Sequence, residues 1–422
     1  MYPIRPARNL GDPYRNPELF EWLDSLEGVP DWLGPAETDA ERKGWAPWQR
    51  TGNHYFGLAG STLPGLALAG LIALAGQGLA DLSGAAMGLE KTPVSPILVA
   101  ILLALFVRNA IGLPTVYEAG LSLALKKVLR IGVALLGIRL SLAATGAIGL
   151  VALPVVVACI AAALLLVTRL GRAVGLPPRL ATLIAVGTAI CGNSAIVAMA
   201  PVIGAEDDEV SYAVGCVTLF GLLALLVHPY VGHWLFDADP TRIGLFLGTA
   251  IHDTAQVAGA GMVYLAQFGT PEVLDAATVT KLQRNMFMVA VIPLMAVLSA
   301  RDRSAGTGAT SGLSLRRQVR QAIPGFVIGF LAMSLLRTLG DLGARPFGVL
   351  EPGTWRQLIH LATQTATVCL AVAMAAVGLG TSFTRLRGLG LRPLGVGLLA
   401  ALLVGGVSYG MIRLVAGPLL AR

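Results

Sequence analysis

Long uncharged apolar stretches constrain this chain more than anything else in it. Residues 151–168 read VALPVVVACIAAALLLVT, without a charged side chain, and about 20 apolar residues in a helix cross a hydrocarbon layer of about 30 Å. The residues A, V, I, L, M, F, W, Y and C make up 55% of the 422 positions, and D, E, K and R only 13%, about half the charged share of a soluble domain. A soluble fold could not hide that much apolar surface. A membrane β-barrel needs strands of about ten residues alternating apolar and polar, which these blocks do not show. Helices satisfy their own backbone in lipid, so the expected fold class is an all-α polytopic membrane protein.

The four cysteines, Cys159, Cys191, Cys216 and Cys369, all fall in apolar segments and offer neither a disulfide framework nor a zinc spacing. They read as packing residues. The formal charge is +7, but the basic residues are scattered through short loops, so they report topology and not a nucleic-acid partner.

Residues 1–55 form a polar extension without the apolar core of a secretory signal, and are expected to be retained in the cytoplasm. Within it Asn16 can cap a short amphipathic helix that opens at Pro17, carries Leu19, Phe20, Leu23 and Leu26 on one face, and stops at Gly28. Trp22, Trp32, Trp45 and Trp48 suit docking at the interface between water and lipid. From residue 56 onward the pattern predicts eleven spans, centred near residues 70, 102, 134, 157, 190, 219, 254, 288, 327, 370 and 402. Eight lie in 56–303 and three in 316–422, separated by a flexible loop at 304–315 rich in Ser, Gly and Thr. An odd count puts the termini on opposite sides. The side bearing the N-terminus collects 22 of the 31 Lys and Arg, which predicts a cytoplasmic N-terminus and a periplasmic C-terminus in the inner membrane. The acidic stretch 206–209 then falls outside.

Two spans are interrupted by similar polar residues. One reads GTAICGNSAIVA over 187–198 and the other GTAIHDTAQVA over 248–258. Asn193 with Ser194, and Asp253 with Thr254, are helix N-cap types, so each span reads as two half-helices, the second beginning at Asn193 or at Asp253. Irregular backbone at mid-membrane is tolerated where it is buried or lines a cavity, and it marks the binding elements of secondary transporters. The second half-helices would aim free N–H groups at a bound anion. Asp253 is the one carboxylate in the middle of an expected span, and beside His252 it reads as a carrier of a coupling proton, a cation ligand or a structural cap.

A weaker internal match relates 137–142 (GIRLSL) to 378–383 (GLGTSF) in oppositely directed spans, the mark of an inverted repeat. The two polar breaks would run parallel on this count, so either one is re-entrant or they are not symmetry mates. Arg139 near one face, and Lys281 with Arg284 at i and i+3 near the other, are the cations placed to guide an anion or to anchor helix ends. His228, His233 and His360 show no partners. No nucleophile or metal triad accompanies His252 and Asp253, so no enzyme is expected.

The runs GTAICGNSAIVAMAPVIG (187–204), GLFLGTAIHDTAQVAGAG (244–261) and VTKLQRNMFM (279–288) resemble the sulfate exporter family of bacterial inner-membrane proteins, over about residues 60–415. That family is distantly similar to the bile-acid symporter and cation/proton antiporter group. The resemblance implies inverted repeats, broken helices crossing at the midplane, and a core domain moving against a panel in a homodimer. It implies that Cys191, Gly192, Asn193, Ser194, His252, Asp253, Thr254 and Gln256 line the substrate region. The expected function is secondary-active export of a small anion such as sulfate, with no cofactor beyond a coupling proton or sodium ion. The alternative is a proton- or sodium-coupled carrier of another organic or inorganic ion.

Overall fold

The computed structural model describes residues 47–86, 95–303, 325–342, 345–384 and 390–416. The expected amphipathic helix after Asn16, Trp22, Trp32, Trp45 and the 304–315 loop lie outside them. Among the described residues every regular element is helical. In chain order they are α1 (Pro47–Ala86), α2 (Pro96–Phe106), α3 (Glu118–Leu123), α4 (Leu129–Leu136), α5 (Leu142–Ala162), α6 (Thr168–Ala173), α7 (Pro178–Ala189) and α8 (Asn193–Ile203). Then follow α9 (Asp207–Leu235), α10 (Pro240–Ala250), α11 (Thr254–Phe268), α12 (Pro271–Met286), α13 (Met288–Arg303), α14 (Gly325–Gly340), α15 (Pro352–Gly380) and α16 (Leu391–Met411). The stretch expected to end at residue 55 as an extension is helical from Pro47 on. Widened turns at Ala124–Val128 and Ala163–Val167 join α3 to α4 and α5 to α6.

Among the described residues, five segments are long and apolar enough to cross a membrane: Gly60–Ala86, Leu142–Ala173, Asp207–Leu235, Pro352–Gly380 and Leu391–Val415. The main apolar core draws buried residues from α2, α4, α5 and α7 to α16. A smaller cluster joins Ala69 and Ile72 of α1, Ala104 of α2, Leu121 of α3 and Ala376 of α15.

At both polar breaks the chain stops being helical, as the residues imply, but it then folds back. Gly187 of α7 lies against the Ile196 side chain of α8, a contact that two collinear half-helices could not make. Contacts along α9 agree. Arg179 at the start of α7 pairs with Glu206 just before α9 (3.8 Å), Gly187 lies against Val217, and Asn193 at the start of α8 bonds Thr218. Thus α7 runs parallel to α9, α8 runs antiparallel to it, and the pair is a helical hairpin. The connections before α7 and after α8 are therefore at the same end of the bundle.

The second break is also a hairpin, entering from the opposite end. Gly244 and Gly248 of α10 lie against Ala276 and Thr280 of α12, which makes those helices parallel. Gly261 of α11 lies against Leu274 and Thr254 bonds Asn285 (3.0 Å), which makes α11 and α12 antiparallel. His233 near the end of α9 contacts Tyr264 (2.9 Å) and stacks on Phe268, so α11 leaves where α9 ends. His233 thus has partners that the sequence did not reveal. The broken helices expected to cross are two opposed hairpins.

Candidate functional site

The hairpin tips meet in the middle of the bundle. In the first tip α7 ends at Ala189, Ile190 and Cys191 are buried, and Gly192 has φ 76° and ψ −125°, a conformation that L side chains avoid. The Gly192 N–H donates to the Gly187 carbonyl (3.0 Å), and the Ala195 and Ile196 N–H groups both turn back to the Gly192 carbonyl. This leaves the leading amides of α8 without partners in their own helix. In the second tip Ile251 and Asp253 are extended, and Asp253 is the N-cap of α11, its carboxylate accepting from the Ala255 N–H (2.7 Å). Such a cap contributes about 1 kcal/mol. A Cβ built on Gly192 would stand 3.1 Å from Asp253 Oδ2, so the tips touch at these two residues. Asn193 is the first helical residue of α8 and not its cap, because its amide is bonded to the Thr218 hydroxyl (3.2 Å).

Two helices tie the tips together. Thr218 of α9 holds Asn193 through its hydroxyl and accepts from Gln256 Nε2 at its carbonyl (3.1 Å). From α12, Lys281 Nζ donates to the carbonyls of Ile190 (3.0 Å), Ile251 (2.9 Å) and His252. Arg284 donates from Nε to Ala189 (2.7 Å), from one terminal nitrogen to Thr249 (2.6 Å) and Ile251 (3.3 Å), and from the other to Thr188. These acceptors are the ends of α7 and α10, where the helix dipoles concentrate negative partial charge.

Lys281 and Arg284, expected near a membrane face as guides for an anion, are 1% and 0% exposed and lie between the tips. An ammonium has three N–H groups, and all three of Lys281 meet carbonyls. Four of the five guanidinium N–H groups of Arg284 are likewise engaged. Their chemistry here is to hold two helix C-termini together. Arg139 is also committed: it binds both oxygens of Asp275 at the start of α12 (3.0 and 3.2 Å). Asp275, at 11% side-chain exposure, is a carboxylate inside the fold that the sequence did not single out.

Of the expected site residues, the structure brings Cys191, Gly192, Asn193, Ser194, His252, Asp253 and Thr254 together at the tips, with Gln256 one turn into α11. Ser194 is exposed, Asn193, Asp253 and Thr254 are half-buried, and His252 and Gln256 are buried. His252 Nδ1, Gln256 Oε1 and Asn285 Oδ1 are buried without a bonding partner. Thr218, Asn285 and Asp275 were missed by the sequence reading. For Asn285 the available signal was the polar-rich stretch from Thr278 to Asn285 just before apolar α13; Thr218 and Asp275 lie outside it.

Comparison with known proteins places the chain among membrane proteins. Residues 64–397 match the family model described as Conserved hypothetical protein 698. The chain is 33% identical over 318 residues to a UPF0324 membrane protein of Agrobacterium fabrum, covering 75% of this chain and 84% of that one. It is 32% identical over 357 residues to a UPF0324 membrane protein of Streptococcus mutans, covering 83% and 97%. No solved structure matches it.

Proposed function

The chain belongs to the family of UPF0324 membrane proteins, and from the geometry of its two hairpins we propose that it is a secondary transporter exporting a small inorganic anion such as sulfate. The observation that carries this reading is the contact between two oppositely entering hairpin tips, which brings the N-terminal ends of α8 and α11 together at mid-bundle. Helix N-termini bind anions through free N–H groups and dipole. The C-terminal ends at the same junction are already neutralised by Lys281 and Arg284. An anion is therefore held by Asn193, Ser194 and the leading amides of α8, and not by the buried cations.

The two segments 187–194 and 248–254 then become mates of an inverted repeat, each a hairpin followed by a long helical passage, α9 or α12 with α13. In the membrane this gives nine crossings and two re-entrant hairpins in place of eleven spans. The odd number of crossings keeps the N-terminus cytoplasmic and the C-terminus periplasmic, while the acidic stretch 206–209 moves to the cytoplasmic side beside Arg179. At 100 mV, inside negative, exit of a dianion is favoured by about 4.6 kcal/mol, so export needs no nucleotide.

Asp253 favours a second reading, in which the carrier is proton- or sodium-coupled and moves another organic or inorganic ion. Counterflow decides between transport and no transport: proteoliposomes of the purified protein loaded with sulfate should transiently accumulate external radiolabelled sulfate. Accumulation equal to that of protein-free liposomes would remove the sulfate assignment, and repeating the assay with sulfonates and carboxylates tests the second reading.

A further inference from the structure

The Lys281 ammonium is 1% exposed and bonded to three main-chain carbonyls, those of Ile190, Ile251 and His252. Carbonyl oxygens converging from separate chain segments are the ligands that monovalent metal ions use in place of water. These come from the residues just beyond the C-terminal ends of α7 and α10, where the dipoles add to the attraction for a cation. Arg284, one turn further along α12, carries a like charge that would repel Lys281, and the ring of carbonyls around both offsets that repulsion. We infer that the carbonyls of Ile190, Ile251 and His252 form a monovalent-cation site whose built-in occupant is the Lys281 ammonium. The wild-type junction then needs no bound sodium, and a chain lacking the side chain takes sodium, ammonium or a short alkylammonium in its place.

This inference concerns binding and is independent of whether the protein moves sulfate, so its test reads stability and not flux. Lys281→Ala deletes the atoms from Cγ to Nζ, a piece the size of n-propylammonium. In choline chloride the purified variant should melt lower than wild type by roughly 10 °C. Its midpoint should rise saturably with sodium or ammonium and most with n-propylammonium. Wild type, and Lys281→Met with its apolar chain filling the space, should respond to neither ammonium nor n-propylammonium beyond choline, and sodium should raise the midpoint of the alanine variant more than that of either of these two proteins. A midpoint for Lys281→Ala equal to that of wild type overturns the inference, as does a flat response to all three cations or an equal rise in Lys281→Met. If the alanine variant unfolds without a cation, it is prepared in n-propylammonium chloride throughout. Failure to recover folded protein under that condition also overturns the inference, because the added cation has not replaced the ammonium.

Discussion

Gly192 and Asp253 are separated in the chain by the whole of α9, yet a Cβ on the first would stand 3.1 Å from a carboxylate oxygen of the second. That contact joins the two hairpins. Gly192→Ala places a side chain on a backbone with φ 76° and pushes it against Asp253. The expected result is a loss of about 1–3 kcal/mol of stability together with flux reduced beyond the change in folded protein, read by thermal melting and by counterflow on matched amounts of monodisperse protein. Unchanged stability and flux would mean that the tips are not in contact.

Arg284 separates a structural cation from a substrate ligand. Arg284→Met strips donors from the carbonyls of Thr188, Ala189, Thr249 and Ile251 and should destabilise the protein by at least about 3 kcal/mol. A variant that melts like wild type and only binds its anion more weakly would restore the guiding role.

The hairpins also predict sidedness. In a background without Cys159, Cys191, Cys216 and Cys369, cysteines at Val174 and Ala205 should react with an impermeant maleimide from the same side of the membrane. Cysteines at Ala238 and Thr270 should react from the other side. Labelling of Val174→Cys and Ala205→Cys from opposite sides would restore the crossing helices.

The sequence showed where the helices break, and it could not show which way the chain goes afterwards. Cap residues such as Asp253, and Gly192 with its positive φ, act within a turn or two, so they mark an end and a beginning equally well for a crossing helix and for a hairpin. Direction is set by packing between remote segments, such as Arg179 against Glu206 and Gly261 against Leu274. Lys281 and Arg284 were visible as an i, i+3 pair, but their partners lie up to 96 positions away. Asp275 sits close behind Pro271 in a polar stretch that reads as a loop, and only its pairing with Arg139 shows that it is buried. The cluster of residues at the tips was legible because its two halves are similar to each other in sequence.

Asp253→Asn should keep the cap, since an amide oxygen can accept from the Ala255 N–H, while removing the one titrating carboxyl at the tips. Folding is expected to survive, and the pH dependence of flux to flatten. Sodium and pH are varied separately, because the same change removes a potential sodium ligand. A wild-type pH profile and sodium response in the variant would leave Asp253 as a structural cap and favour export driven by the membrane potential alone.

The proposed anion site at the start of α8 is tested most directly by radiolabelled sulfate counterflow in the double variant Asn193→Leu, Ser194→Leu. Leucine removes the polar groups at the tip and fills the space in front of the leading amides, while the Lys281 and Arg284 ties to α7 and α10 remain. Counterflow at the level of protein-free liposomes, from a variant that stays monodisperse and melts close to wild type, is the predicted result. Wild-type counterflow from that variant would contradict the account and return the first hairpin to a packing role.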